Sequence, residues 1–437
     1  MTGLPLFRAL AHRNFRLYLA GQGVSIVGSW MQQVAMAWLV YQQTNSPVWL
    51  GLVAFAGQVP ALVLTPLAGG LIDACDRRRL LLFTQSIALS QALVLAMLTL
   101  TGVVEPWHIL ALALLLGSVN ALDIPTRQAF LSELVGVGDD LANAIALNSA
   151  FFNGARLVGP ALAALLLALT SAGVCFFANA CSYLAVVAAL LAMRLPHRQS
   201  SLAARRYLGG VSEGLAYAWR SAPIRSLLLL IGFFNMAGMA EYTLLPVVAA
   251  TVLEGDATTL GLLSGSAGAG AFAAAVFLAC RRSVYGLAEW VLAAPLLFGL
   301  ALLAVSFAAT LWTAMLLLTV TGFALLLLTA AANTLLQTIV DEDKRGRVVS
   351  LYTMAVTGVG PLGGILAGFA ADRFGAPLTL RIAGGACLVG AVAFAAAFRS
   401  VRAATIHNPA ANPSTANRAP SNAQFSRTAV SQCRLTV

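Results

Sequence analysis

Charged residues are rare in the long apolar stretches of this sequence, and those that occur there could do chemistry. Asp123 precedes Arg127 by four residues, a spacing that allows an ion pair within one helix. Glu241 lies in the apolar stretch "FFNMAGMAEYTLLP". A carboxylate in such surroundings is costly while it is charged, so it can load and release a proton as its access to water changes. We predict that Glu241 and Asp123 couple to protons. The alternatives are a structural pair for Asp123 and a merely wetted or paired carboxylate for Glu241.

Arg156 and a set of amide side chains in the same stretches could contact a small molecule. Arg156 could hold an anionic substrate or neutralise a carboxylate. Each amide could instead hydrogen-bond a neighbouring helix. The predicted substrate-cavity residues are Arg156, Gln32, Gln33, Gln58, Asn120, Asn153 and Asn333. Further polar residues of the same kind are Gln22, Asn148 and Gln337.

The sequence lacks the residue patterns that enzymatic, metal-dependent or ATP-driven chemistry requires. The apolar stretches contain no histidine and no acidic pair, and the six cysteines are scattered without a CxxC pair. No GxxxxGK[ST] loop for ATP occurs. We therefore expect no enzyme activity, no catalytic residues, no metal and no cofactor.

The composition indicates a membrane protein. Of the 437 residues, 59% are hydrophobic and only 10% are charged, too few to wet the surface of a soluble protein of this length. The net charge of +10 is interpreted as arginines in short loops that face anionic lipid. A nucleic-acid partner is not expected.

Apolar windows of about twenty residues, long enough to cross a bilayer, recur along the chain. They predict an all-α polytopic membrane protein with six spans, a polar interval and six more spans. The predicted spans are 16–40, 48–72, 79–101, 107–129, 143–169, 172–193, 224–250, 259–280, 287–308, 311–338, 348–371 and 377–398.

Basic residues are distributed unevenly between the predicted loops. Of the 26 lysines and arginines, Arg373 and Arg381 fall on one side of the membrane and Arg156 falls within a span. All the others fall on the opposite side, which the positive-inside rule identifies as the cytoplasm. We predict a multi-pass protein of the bacterial inner membrane with both termini in the cytoplasm.

The two sets of six spans show weak internal symmetry. Gly159-Pro160 in the fifth span and Gly360-Pro361 in the eleventh occur at matching depth. Such repeats are typical of secondary transporters. The predicted domains are an N-terminal six-helix bundle (1–193), a cytoplasmic linker with an interfacial helix (194–223), a C-terminal six-helix bundle (224–398) and a disordered cytoplasmic tail (399–437).

Four stretches together resemble a known family. They are "GGLIDACDRRR" (69–79), "NALDIPTRQAFLSELV" (120–135), "DEDKRGRVVSLYTMAVTGVGPLGG" (341–364) and "GFAADRFG" (368–375). They resemble the major facilitator superfamily, in the branch of the enterobactin exporter and the macrolide efflux proteins. The resemblance covers residues 1 to about 400. It implies twelve transmembrane helices arranged as two pseudo-symmetric six-helix bundles.

The resemblance also implies roles for particular residues. In the family, the loop after the second span bridges helices of the two states, so breaking its contacts is part of opening. The implied cytoplasmic latch consists of Gly69, Asp73, Arg77, Arg78 and Arg79, with topogenic charge as the alternative for the arginines. Gly159-Pro160 is similar to the antiporter signature of the superfamily. The implied helix-bend residues are Gly159, Pro160, Gly360 and Pro361.

Together these features predict a monomeric secondary active transporter. It would export small amphipathic molecules, drug-like or siderophore-like, by alternating access and proton antiport. Its partners would be the small-molecule substrate, protons and membrane lipid. The alternatives are a facilitator or importer of the same fold, or a sensor or scaffold that does not transport.

Overall fold

The computed structural model describes residues 5–136, 138–194, 215–281, 286–341 and 344–406. Twelve long helices occupy these residues. Their bounds are α1 Arg13–Thr44, α2 Pro47–Ala74, α3 Arg77–Leu100, α4 Pro106–Val135, α5 Asp139–Leu169, α6 Ala172–Ala192, α7 Ala222–Val252, α8 Ala257–Ala279, α9 Leu287–Val305, α10 Leu311–Ile339, α11 Arg345–Phe374 and α12 Ala376–Ile406. A π-helical turn ends α7 at Val248–Val252, and another interrupts α11 at Met354–Gly358.

Several helices begin at residues that suit a first turn. Pro47, Pro106 and Pro223 stand in the first turns of α2, α4 and α7, where a missing backbone N–H leaves no hydrogen bond unmade. Asp76 caps α3, because its side chain accepts a hydrogen bond from the Arg79 backbone N–H at 3.0 Å. These local signals separate the apolar stretches into helices with short connections.

Most of these helices are membrane spans by length and composition. Among the described residues, eleven helices are long and apolar enough to cross a bilayer, and α1 is the exception among the twelve. It has 32 residues, but several glutamines and serines lower its apolar content. The predicted all-α, twelve-helix architecture is confirmed.

Helices α1–α6 pack together, and α7–α12 repeat the same main pattern of neighbours. In the first set, α1 packs on α5 and α6, α2 packs on α4, and α3 packs on α4 and α6. In the second set, α7 packs on α11 and α12, α8 packs on α10, and α9 packs on α10 and α12. We name these sets the first and the second bundle.

The two bundles meet along α2 with α11 and along α5 with α8. A Cβ atom added at Gly51 of α2 would lie 2.9 Å from the carbonyl oxygen of Gly364 in α11. One added at Gly261 of α8 would lie 2.8 Å from the carbonyl oxygen of Pro160 in α5. Small residues therefore let the backbones touch, as is common between membrane helices. These contacts lie toward the side where α2 begins and α5 ends. We name it the opposite side, because it lies opposite the helix ends that carry many arginines.

The other ends of the helices carry many arginines, and we name this side the arginine-rich side. At the start of α3, Arg77 Nη1 donates to Glu133 Oε1, near the end of α4, at 2.8 Å. At the start of α1, Asn14 Nδ2 donates to the Arg194 carbonyl after α6 at 2.9 Å. Polar contacts thus join helix ends where the chain leaves the apolar region.

Two helices end well beyond the predicted spans. The fourth was predicted to end at 129 and continues to Val135, and the twelfth was predicted to end at 398 and continues to Ile406. A helix satisfies its own backbone hydrogen bonds, so it can extend past the apolar region into polar surroundings. Hydropathy locates the apolar part of a helix rather than its last turn.

The linker and the tail are described only in part. Residues 215–220 are helical, and Leu215 and Trp219 on this segment are exposed. The Tyr217 hydroxyl donates to Asp341 Oδ2 at 3.0 Å, which joins the segment to the end of α10. Residues 195–214 of the predicted linker, with the rest of its interfacial helix, lie outside the described residues. Of the predicted disordered tail (399–437), residues 399–406 are instead helical, as the end of α12, and the rest lies outside the described residues.

Candidate functional site

A cavity of about 640 Å³ lies between the two bundles. Its wall comes mostly from the first bundle, and Met239, Tyr242 and Thr243 of α7 face it from the second. This volume is in the range of sites for drug-sized molecules. The wall is largely apolar with polar groups at a few places, so it suits an amphipathic solute.

The cavity opens toward the arginine-rich side. Its exposed lining residues are Ile124 and Gln128 in the second half of α4, Ser149 and Phe152 in the first half of α5, and Thr357 in the first half of α11. Toward the opposite side, the lining residues Leu50 and Val53 are buried. The close contact between α2 and α11 lies on that same side. In the described part of the chain, access to the cavity is therefore from the arginine-rich side.

One face of α1 supplies a polar stripe to the cavity. The stripe consists of Tyr18, Gln22, Ser25, Ser29 and Gln32, at alternating spacings of four and three residues that keep them on one helix face. Gln32 Nε2 donates to Gln91 Oε1 of α3 at 3.2 Å, and Gln32 Oε1 accepts from Asn179 Nδ2 of α6 at 2.8 Å. The stripe accounts for the lower apolar content of α1.

The predicted cavity residues divide into those that line the cavity and those that do not. The lining ones are Gln32, Gln33, Gln58, Asn120 and Asn153, together with Gln22 and Asn148. Gln58 Nε2 lies 3.3 Å from the Met239 sulfur, across the interface between the bundles. Asn333 Oδ1 accepts a hydrogen bond from Gln337 within α10, and it is not among the residues that line this cavity in the described chain.

Arg156 lies behind the cavity wall on α5. Its guanidinium carbon is 5.5 Å from the centre of the Trp30 ring, within cation–π range, and Trp30 itself lines the cavity. Arg156 also interacts electrostatically with Glu241 and Tyr242 of α7. The positive charge therefore lies at the interface between the bundles, where it faces a carboxylate of the second bundle.

Glu241 is 7% exposed and packs inside the second bundle. Its Oε1 atom accepts a hydrogen bond from the Thr321 hydroxyl of α10 at 2.8 Å. Glu241 does not line the cavity described here, whereas the next two residues, Tyr242 and Thr243, do. In this conformation the carboxylate is buried directly behind the cavity wall.

Three neighbours hold Asp123, which is 1% exposed and lines the cavity. Its Oδ1 atom accepts hydrogen bonds from the Thr84 hydroxyl at 2.7 Å and from Gln85 Nε2 at 2.8 Å. Its Oδ2 atom pairs with Arg127, four residues on. Pro125 lies between the two charged residues without ending α4. The pair that the spacing allows is thus formed, and α3 adds two further donors.

The arginines after α2 make contacts within the first bundle. Arg77 Nη1 donates to Glu133 and, at 3.1 Å, to the Ala129 carbonyl of α4. Arg78 Nη2 donates to the Leu191 carbonyl of α6 at 3.0 Å. These contacts tie the start of α3 to the ends of α4 and α6.

The remaining latch residues lie on either side of the loop between α2 and α3. Gly69 and Asp73 lie in the last turns of α2. The side chain of Asp73 lies outside the part of the chain that the structure describes. Arg79 is exposed, and its backbone N–H donates to the Asp76 side chain.

The predicted bend residues lie where α5 and α11 pack on α1 and α7. A Cβ atom at Gly159 of α5 would lie 2.9 Å from the Val27 carbonyl oxygen of α1. One at Gly360 of α11 would lie 3.8 Å from the nearest atom of α7. Pro160 lies inside α5, and Pro361 lies in the first turn after the π-helical turn of α11. The two sites occupy equivalent positions in the two bundles.

Gln85 and Asn179 are site residues that sequence reasoning missed. Each is a lone polar residue in an apolar helix, and such a residue more often bonds a neighbouring helix than a ligand. The polar spacing of Tyr18, Gln22 and Ser25 along α1 is a signal that could have located the cavity face. That face leads to Asn179 through the Gln32 hydrogen bond.

The helical bundles and the cavity between them define a multi-pass membrane transporter for small molecules. The profile of the transmembrane secretion effector family matches residues 5–424, so the chain belongs to this family of the major facilitator superfamily. It is a transporter and not an enzyme.

Relatives over most of the chain are transporters by name. The Staphyloferrin A transporter of Staphylococcus aureus is 28% identical over 374 residues, which is 84% of this chain and 92% of the relative. The Multidrug efflux pump Tap of Mycolicibacterium fortuitum is 28% identical over 366 residues, 82% of this chain and 87% of the relative. Macrolide efflux protein A of Streptococcus pyogenes is 22% identical over 383 residues, 83% of this chain and 90% of the relative.

Solved structures share the fold at low identity. A bacterial homologue of the human lysosomal transporter Spinster, in an inward-facing and occupied conformation, matches with a TM-score of 0.67 and 14% identity, covering 90% of this chain and 97% of the other. The nucleoside transporter NupG matches with a TM-score of 0.66 and 16% identity, covering 88% and 99%. These likenesses support the fold alone.

Proposed function

We propose that this transporter exports small amphipathic molecules from the cytoplasm by alternating access in exchange for protons. The observation that carries the proposal is the cavity of about 640 Å³ between two bundles, open on the arginine-rich side and closed toward the opposite side. Rocking one bundle against the other around such a site exposes it to each side in turn. Relatives named as efflux proteins support export as the direction.

The distribution of arginine indicates which side of the protein faces the cytoplasm. Loops rich in lysine and arginine remain on the cytoplasmic side during membrane insertion. The arginine-rich side, with both chain termini, is then cytoplasmic. The conformation described here is then the one that receives substrate from the cell interior of a bacterium.

Glu241 and Arg156 are the proposed coupling pair. The attraction between the Arg156 guanidinium and an ionised Glu241 depends on their separation, and the two residues belong to different bundles. Rocking the bundles changes that separation, so it changes the free energy of deprotonating Glu241. The conformational change and the proton are thereby linked. Asp123 is the second coupling candidate, and its contacts with Thr84, Gln85 and Arg127 all lie within the first bundle.

Accumulation of labelled antibiotics, dyes and siderophores in efflux-deficient cells tests this proposal. Cells would express wild type, Glu241→Gln, or Glu254→Gln as the matched control, with and without a protonophore. Glu254 is exposed in the loop between α7 and α8, away from the cavity. We expect lower accumulation with wild type and with Glu254→Gln, abolished by the protonophore and by Glu241→Gln.

Two results would overturn parts of the proposal. Export that survives Glu241→Gln but not the protonophore would remove Glu241 from coupling and transfer the role to Asp123 or Asp73. Export that survives the protonophore would contradict proton coupling, and unchanged or raised accumulation of every compound would contradict export.

A further inference from the structure

Two buried amide oxygens on the cavity wall lack hydrogen-bond donors. Gln22 of α1 and Gln85 of α3 are each 2% exposed, and both line the cavity. The Oε1 atom of each has no hydrogen-bond partner within the described residues. Buried polar atoms are nearly always bonded, so two such acceptors on one cavity wall require a ligand or water as their partner.

The orientation of Gln85 is fixed by its other contact. Its Nε2 group donates to the Asp123 carboxylate at 2.8 Å, so its oxygen is the atom that remains to accept a bond. Gln22 has no such contact in the part of the chain that the structure describes, and it lies one turn along α1 from Tyr18. Tyr18 interacts electrostatically with Asp123 and Arg127. The acceptors on α1, α3 and α4 therefore converge on one region.

This region lies at the mouth of the cavity. Ile124 and Gln128, which flank it on α4, are exposed on the arginine-rich side. A solute that enters from that side meets this polar cluster before the deeper residues Gln33 and Gln58.

We propose that Gln22, Gln85 and Asp123 form a mouth subsite that binds the ammonium head of a cationic amphipathic substrate. An ammonium group has three donors and no acceptor, so it can satisfy the two amide oxygens and the carboxylate together. A carboxylate or phosphate head would instead face these oxygens without a donor. The proposal rests on the proposed function only in taking the cavity as the substrate site.

Arg127 is the cation that the ammonium group replaces. It pairs with Asp123 Oδ2, but among the described residues its Nε atom has no hydrogen-bond partner. Its side chain is 21% exposed, whereas that of Asp123 is 1% exposed. The guanidinium can therefore turn toward water at the mouth while the incoming cation takes its place beside the carboxylate. Charge balance in the cavity is kept throughout the exchange.

Direct binding to the purified protein in nanodiscs tests the subsite. The probes are 4-phenylbutylamine and its N,N,N-trimethyl analogue, which keeps the charge but has no N–H donor. Titration calorimetry would compare wild type with Gln22→Met, which keeps the length of the side chain and removes the amide. Gln42→Met, at an exposed position near the other end of α1, is the matched control.

We expect Gln22→Met to weaken binding of 4-phenylbutylamine about tenfold, because one hydrogen bond to a charged group is lost. Binding of the trimethyl analogue should change by less than about twofold, and Gln42→Met should leave both affinities unchanged. Gln22→Glu keeps acceptor oxygens at the same place and should bind the primary amine at least as tightly as wild type. This second variant separates loss of an acceptor from loss of the fold.

Three results would overturn the subsite. They are equal weakening of both probes by Gln22→Met, no weakening of either, and a wild type that binds neither probe. The second would mean that water alone occupies these oxygens. The measurement uses no proton gradient, so a failure of proton-coupled export would leave the binding result unaffected.

Discussion

At the scale of single residues, three of the charges near the cavity, Asp123, Glu241 and Arg156, differ in how they are compensated. Asp123 has two hydrogen-bond donors from α3 on Oδ1 and an ion pair with Arg127 of α4 on Oδ2. Glu241 has one hydroxyl donor, and Arg156 has an aromatic ring and an electrostatic interaction with Glu241 of the other bundle. A charge with incomplete compensation is the one whose free energy changes when helices move. This difference favours Glu241 and Arg156 over Asp123 as the moving pair.

The pairing of Asp123 with Arg127 predicts a large effect of removing one partner. Arg127→Met leaves a carboxylate that is 1% exposed without its counter-charge. We expect a loss of about 3 kcal/mol of stability, because an unpaired buried charge is costly. Thermal unfolding in detergent measures this change as a lower midpoint.

The double variant Asp123→Asn, Arg127→Met provides the control. It removes both charges and keeps an amide at the position of the carboxylate, so most of the lost stability should return. A single variant as stable as the double variant would show that leaving the Asp123 carboxylate without its counter-charge costs nothing.

At the scale of helices, close packing of α5 on α1 sets how the first bundle is assembled. A methyl group at Gly159 would meet the Trp30 side chain and lie 2.9 Å from the Val27 carbonyl oxygen. Trp30 is also the ring beneath Arg156. Moving α5 away from α1 would therefore change the cavity wall and the position of the interface charge together.

Gly159→Ala tests this packing. We expect it to cost about 1–3 kcal/mol of stability and to reduce transport, because an inserted methyl group forces the helices apart. Gly154→Ala on the same helix is the matched control, since a Cβ atom there meets nothing within 4 Å. Equal melting temperatures and transport rates for the two variants would contradict the packing account.

The loop between α2 and α3 gives a second prediction at this scale. If the loop acts as a latch between conformations, Asp73→Asn should lower transport at normal expression. Asp76→Asn is the control, because asparagine caps a helix as well as aspartate does and the α3 cap should persist. If Asp73→Asn transports at the wild-type rate, the latch is contradicted. The neighbouring arginines would then serve only to set the membrane topology.

The helices could be predicted from the sequence, whereas most contacts between them could not. Apolar windows gave the spans because the bilayer imposes their length. The Asp123–Arg127 pair could be anticipated because it lies within one helix. The bonds from Gln85 to Asp123 and from Asn179 to Gln32 join different helices. They depend on how each helix is rotated about its axis, which single polar residues in apolar spans do not specify.

At the scale of the whole molecule, the cavity mouth and the positive-inside rule make one joint prediction. In a chain whose native cysteines are replaced by serine, Ser149→Cys at the mouth should react with a membrane-impermeant thiol reagent in inside-out vesicles and not in intact cells. Thr101→Cys, in the exposed loop between α3 and α4, should show the reverse. Labelling of Ser149→Cys only from outside would invert the proposed orientation.

The central claim is that export is exchanged for protons through Glu241. Inside-out vesicles that are acidified by respiration and contain a pH-sensitive dye would receive a compound that the accumulation assay has identified. We predict that the compound raises the internal pH with wild type and with Glu254→Gln, and leaves it unchanged with Glu241→Gln. An unchanged internal pH with wild type, or the same rise with Glu241→Gln, would contradict the claim.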